Sequence, residues 1–221
     1  MKNSIRKMAS ILLAALMLLM LFGCSKSGAS DQKKFEGTWK ATVSLTDLAN
    51  ESIQQSSGID SQTFSKYFKV SKFELVLVFT FRDDGTYSLS VDEAQLNQNN
   101  KAFMDEIKAG MIKFFEDNLA EQGIDMSVDE FVEAQAGMSL DEYFDQTFPA
   151  SIFDGMADSF SATGKWKAED GKLYLSQSTS ADIDTNDYDL YEFTSSSEIK
   201  LSLPAGESDG MGVYPLVLKK S

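Results

Sequence analysis

Phe73-Glu-Leu-Val-Leu-Val-Phe-Thr-Phe81-Arg82-Asp83-Asp84-Gly85-Thr86-Tyr-Ser-Leu-Ser-Val91 decides the fold class. Phe73, Leu75, Leu77, Phe79 and Phe81 recur at every second position, the period of a strand with one buried face. Val76 and Val78 on the other face predict a strand middle covered on both sides. Asp83-Asp84-Gly85 supplies a turn in which glycine takes a positive φ at little cost, so the two runs form a hairpin.

Alternation extends in both directions from this hairpin. Upstream, Trp39, Ala41, Val43 and Leu45 share one face, with Lys40, Thr42 and Ser44 on the other. Downstream, four segments return to period two: Gly164 to Ala168, Lys172 to Gln177 after an Asp170-Gly171 turn, Tyr188 to Phe193, and Glu198 to Leu203. A last strand, Val213 to Lys219, makes eight. A closed up-and-down barrel accommodates that count because closure leaves no strand edge exposed. A β-sandwich and an open sheet covered by helices also fit it.

Between residues 96 and 160 the period changes. Phe103, Ile107, Met111, Phe114, Phe115 and Leu119 fall at three- and four-residue spacing, predicting an amphipathic helix that ends near Gly123. Ser127-Val-Asp-Glu130 and Ser139-Leu-Asp-Glu142 are capping boxes, each of which starts a helix. Pro149 predicts a kink or break. The expected architecture is mainly β, with 96–160 as a helical insertion between strands three and four. The polar interval from residue 46 to about 70 has room for one or two short helices.

Gly37-Thr38-Trp39 resembles the G-x-W signature that begins the first strand of lipocalins and other calycins. The resemblance implies an eight-stranded lipocalin-like barrel over residues 35–221, with Trp39 closing its floor and a cavity at the other end. By alternation, the candidate cavity residues are Leu75, Leu77, Phe79, Tyr87, Leu89, Leu173, Leu175 and Leu201. Side chains alone can also fill the interior of a barrel this size.

The beginning of the chain carries a different message. Lys2, Arg6 and Lys7 precede an apolar run from Met8 to Phe22, which ends in Leu21-Phe22-Gly23-Cys24. This resembles the lipobox of bacterial lipoproteins, which implies cleavage of a signal peptide (1–23) and acylation of Cys24. This run of fifteen residues, Ser10 included, falls short of the roughly 20 that span a bilayer. Two or more acyl chains would hold the protein stably at the outer face of a cell membrane, or at an outer membrane. Residues 24–34, small and polar, read as a flexible tether.

Charge and composition narrow the function. Removing residues 1–23 takes away three positive charges and no negative ones, moving the net charge from −14 to −17. That balance disfavours nucleic acid as a partner. The chain has no histidine, and its single cysteine is the proposed anchor, so the commonest general base and thiol nucleophile are missing. No G-x-S-x-G elbow or Gly-rich phosphate loop is present. Asp182, Asp184, Asn186, Asp187 and Asp189 approach a calcium-loop spacing, but Asp187 and Phe193 stand where an EF-hand needs glycine and glutamate. The stretch reads instead as a solvated acidic hairpin tip.

The reading that follows is a non-enzymatic, membrane-anchored binding module without cofactor or metal, holding a hydrophobic small molecule or an envelope component. The alternative is an interaction protein working through its helices. Residues 96–160 carry 14 acidic side chains against three lysines, a surface suited to a cationic peptide or basic protein.

Overall fold

Strand β1 (Gly37–Ser44) and strand β8 (Leu216–Lys220) come from opposite ends of the chain, yet they pair, with Trp39 opposite Lys220 and Lys40 opposite Lys219. Between them run β2 (Glu74–Phe81), β3 (Thr86–Val91), β4 (Ala162–Glu169), β5 (Lys172–Leu175), β6 (Asp189–Ser195) and β7 (Glu198–Ser202). All eight follow chain order around a closed antiparallel barrel, which sets aside the sandwich and the open sheet. The structure, a computed structural model, describes residues 28–149, 153, 155–210 and 212–221.

The deciding hairpin forms with its expected turn. β2 and β3 pair from Leu77 opposite Val91 to Phe81 opposite Tyr87. The Arg82 N–H donates to the Thr86 carbonyl at 2.9 Å, Gly85 sits at φ +78°, and the Asp84 carboxylate accepts from the Thr86 N–H and hydroxyl. Alternate residues of β2 are buried, while Val76 and Val78 are half-buried.

The chain divides into two compact units. The barrel unit comprises residues 28–43, 75–93 and 155–221. Residues 28–34, which the sequence reading placed in the tether, belong instead to helix α1 (Gly28–Phe35). Phe35 is completely buried, and Asp31 accepts a hydrogen bond from the Tyr191 hydroxyl at 3.0 Å, so this segment is held at its middle and at its C-terminal end.

The second unit is helical and, among the described residues, comprises 44–74, 94–149 and 153. The sequence reading assigned a helical insertion only to 96–160. The structure adds the β1–β2 connection to it, with helices α2 (Thr46–Ser57) and α3 (Ser61–Tyr67). These pack with α4 (Glu93–Glu121), α5 (Val128–Ala136) and α6 (Leu140–Thr147). The cause is apolar burial across the two segments. Phe114 on α4 meets Tyr67 at 5.4 Å and Phe68 at 5.8 Å, and Phe73 meets Phe103 at 5.2 Å. Both capping boxes form, and α6 stops before Pro149. A last short helix, α7 (Met156–Ser159), belongs to the barrel unit and precedes β4.

Candidate functional site

The inward face of β1 divides the barrel interior. Trp39, Ala41 and Val43 are all buried on that face, and at about 3.3 Å per residue Val43 lies roughly 13 Å from Trp39. The Trp39 end is filled. Trp39 has no exposed surface, its indole N–H donates to the Phe35 carbonyl at 2.5 Å, and the Lys220 ammonium lies 5.0 Å from its ring centre. Phe35 makes edge contacts with Phe81, Tyr191 and Phe193, and Trp166 closes the cluster at 4.9 Å from Phe81. Rings in these orientations add to area burial.

The Val43 end is hollow. A cavity of about 190 Å³ occupies it, partly open to solvent. Leu75, Leu77 and Phe79 reach it from β2, Tyr87 and Leu89 from β3, Leu173 and Leu175 from β5, and Leu201 from β7. All eight sequence-predicted positions therefore line one cavity. They meet there because period-two alternation in a closed barrel sends every second side chain to the same interior. Val43, Phe160, Leu203, Val213 and Leu216 complete the apolar wall. The expected acylation site, Cys24, and the expected signal peptide lie outside the described residues.

One side of the cavity is polar, and here the sequence reading needs correction. The acidic stretch near residue 187 is not simply a solvated hairpin tip. Asp187, Tyr188 and Asp189 line the cavity, joined by Ser208, Asp209 and Tyr214 from the loop before β8. Asp189 was readable as an inward position: it shares parity with Tyr191 and Phe193, while Leu190 between them points outward. Asp209 carried no comparable signal, because its place depends on how the loop folds. That loop is organised around it. The buried Asp209 carboxylate accepts the backbone N–H groups of Gly212, Val213 and Tyr214 at 2.8, 2.5 and 2.8 Å.

Electrostatics follow from this enclosure. Desolvation pushes Asp189 up to about 7, against a hydrogen bond from the Tyr214 hydroxyl that favours its charged form; Asp187 and Glu207 raise it further. Asp187 is likewise raised, by burial first and then by Asp184. Tyr214 lies well above the usual tyrosine range through burial, reinforced by Asp189, Asp209 and Asp187. Burial, with a contribution from Asp187, pushes Tyr87 up to about 12, and its hydroxyl donates to the Ser176 carbonyl at 3.0 Å. No lysine or arginine lines the cavity among the described residues.

Such a chamber is suited to holding an apolar body against an acidic wall. Comparison with known proteins finds no family model, no curated protein and no solved structure that matches the chain.

Proposed function

We propose that this protein is a membrane-anchored, extracytoplasmic binding protein, lipocalin-like and non-enzymatic, whose barrel holds a small hydrophobic molecule. The observation that carries this reading is the apolar cavity beside a filled barrel end. An apolar cavity of about 150 Å³ accommodates benzene, so 190 Å³ suits a single ring or a short alkyl chain. The lipobox-like sequence supports acylation at Cys24 and delivery to the outer face of the membrane.

Native mass spectrometry of the protein purified from its natural host, followed by organic extraction, tests the binding reading. A stoichiometric small molecule is the expected result. A clean apo mass that stays unchanged on titration with small apolar compounds would sink it. Anchoring is tested separately by metabolic labelling with an alkynyl fatty acid, which should label the wild type and not Cys24→Ser.

A second reading has its own observation. All three lysines of the acidic segment are engaged with aspartates: Lys101 with Asp105, Lys108 with Asp141, and Lys113 with Asp117. The remaining surface is thus strongly acidic and suits a cationic peptide or basic protein partner. Salt-sensitive capture of a Lys-rich peptide, lost when Glu116, Glu121 and Glu133 become glutamines, would favour it.

A further inference from the structure

The cavity described above has two chemically different ends. Apolar side chains from β2, β3, β5 and β7 surround its body, and Asp187, Asp189, Asp209 and Tyr214 stand at its polar side. We propose that the cavity selects an amphiphilic cation, an organic amine or ammonium group held against Asp189 with its hydrocarbon portion between Leu77, Phe79, Leu173 and Leu201. This assignment rests on the binding function proposed above and specifies its ligand class.

The argument begins with charge balance. A carboxylate withdrawn from water is strongly stabilised by an opposite charge with which it can hydrogen-bond. The protein supplies Asp189 with the Tyr214 hydroxyl but with no cation in the cavity wall. The charged neighbours acting on it, Asp187 and Glu207, are acidic, and Asp209 joins them in acting on Tyr214. Lysines of the adjoining strands stand outside the cavity wall. Lys172 of β5 lies 4.0 Å from the Tyr188 ring centre, and Lys200 of β7 lines an adjoining open depression that shares Asp209 and Tyr214 with the cavity.

Ligands of other charge fit less well. An anionic head would face three carboxylates without a compensating cation. A neutral alcohol could fill the apolar body but would leave the like-charge repulsion in place. An ammonium relieves that repulsion and donates to Asp189. Asp209 contributes field more than contact, because its oxygens are already held by three backbone donors. Among the described residues no group of three acidic side chains converges closely enough to hold a metal ion.

The test is calorimetric titration of the full-length protein with hexylammonium, hexanol and hexanoate, three probes with one hydrocarbon tail, against protein-free detergent blanks. Hexylammonium should bind at least about tenfold more tightly than hexanol, and hexanoate more weakly than either. At pH 6.5, hexylammonium should release up to about one proton, read from the dependence of heat on buffer ionisation, because the ligand replaces the proton on Asp189. Asp189→Asn should abolish both the preference and the proton release, while retained binding of hexanol reports an intact cavity.

Equal binding of hexanol and hexylammonium by the wild type would overturn the cationic assignment and leave the binding function standing. Silence from all three probes would overturn both. Persistence of the ammonium preference in Asp189→Asn would place the cation elsewhere on the acidic surface and overturn the assignment to this cavity.

Discussion

Trp39 and Asp189 occupy opposite ends of the barrel interior, and each makes a separable prediction. The Trp39 ring is fully buried and bonded to the Phe35 carbonyl. Trp39→Ala should cost about 3–5 kcal/mol, read from the denaturant midpoint. A loss below about 1 kcal/mol would remove the ring from the core. Asp189 acts through pH. Its folded value of about 7 lies above the ordinary 3.8, so the folded state binds the extra proton between those limits. Its contribution to stability is complete below about pH 4 and falls as pH rises to about 7, at up to about 1.4 kcal/mol per unit. Stability of Asp189→Asn relative to wild type should therefore increase from pH 4 to pH 8. A constant difference across that range would contradict the buried carboxyl. Asp117 has the opposite sign, because bonds from Tyr67 and Lys66 hold it below the ordinary carboxylate range.

Among the elements, α4 shows how a local preference can be reversed by packing. Gly110 lies inside this 29-residue helix, where alanine ordinarily gains about 1 kcal/mol. A Cβ at Gly110 would stand 1.8 Å from the Tyr67 carbonyl oxygen, which belongs to the C-terminal turn of α3. Gly110→Ala should therefore destabilise by about 1–3 kcal/mol, because backbone must move to admit one methyl. A stabilised variant in thermal unfolding would show that the two helices do not approach so closely. The capping serines behave conventionally: each accepts from the third residue's N–H while the glutamate reaches back. Ser127→Ala and Ser139→Ala should each cost about 1 kcal/mol by the same measurement.

For the whole molecule, legibility in the sequence depended on whether a feature was periodic. The eight strands and the eight apolar cavity positions were readable because alternation alone assigns a face. The capping boxes were readable because their chemistry spans only four residues. The contribution of residues 44–74 to the helical unit was not, since it depends on contacts far apart in sequence. Asn50 is the clearest case. Its amide donates to the Val70 carbonyl and its oxygen accepts from the Val70 N–H, a pairing that no local pattern announces. Asp209 was hidden for the same reason, its role depending on a loop wrapped around its carboxylate. In native-state hydrogen exchange, segments 44–74 and 94–149 should open together, although the β2–β3 hairpin separates them in the chain. Independent opening would show that their shared aromatic contacts do not make them one cooperative unit.

Both tryptophans of the chain, Trp39 and Trp166, belong to the filled end of the barrel. Selectively excited tryptophan fluorescence is consequently a one-ended reporter, whereas Tyr87, Tyr188 and Tyr214 line the cavity itself. A guest that settles around Leu77 and Leu201 without moving the floor leaves the emission unchanged, and a dye-free fluorescence screen would discard it as a non-binder. A guest that does not absorb in the tryptophan range and still shifts the emission has altered the floor, so the same signal that misses simple occupancy would single out compounds that transmit a change down the barrel.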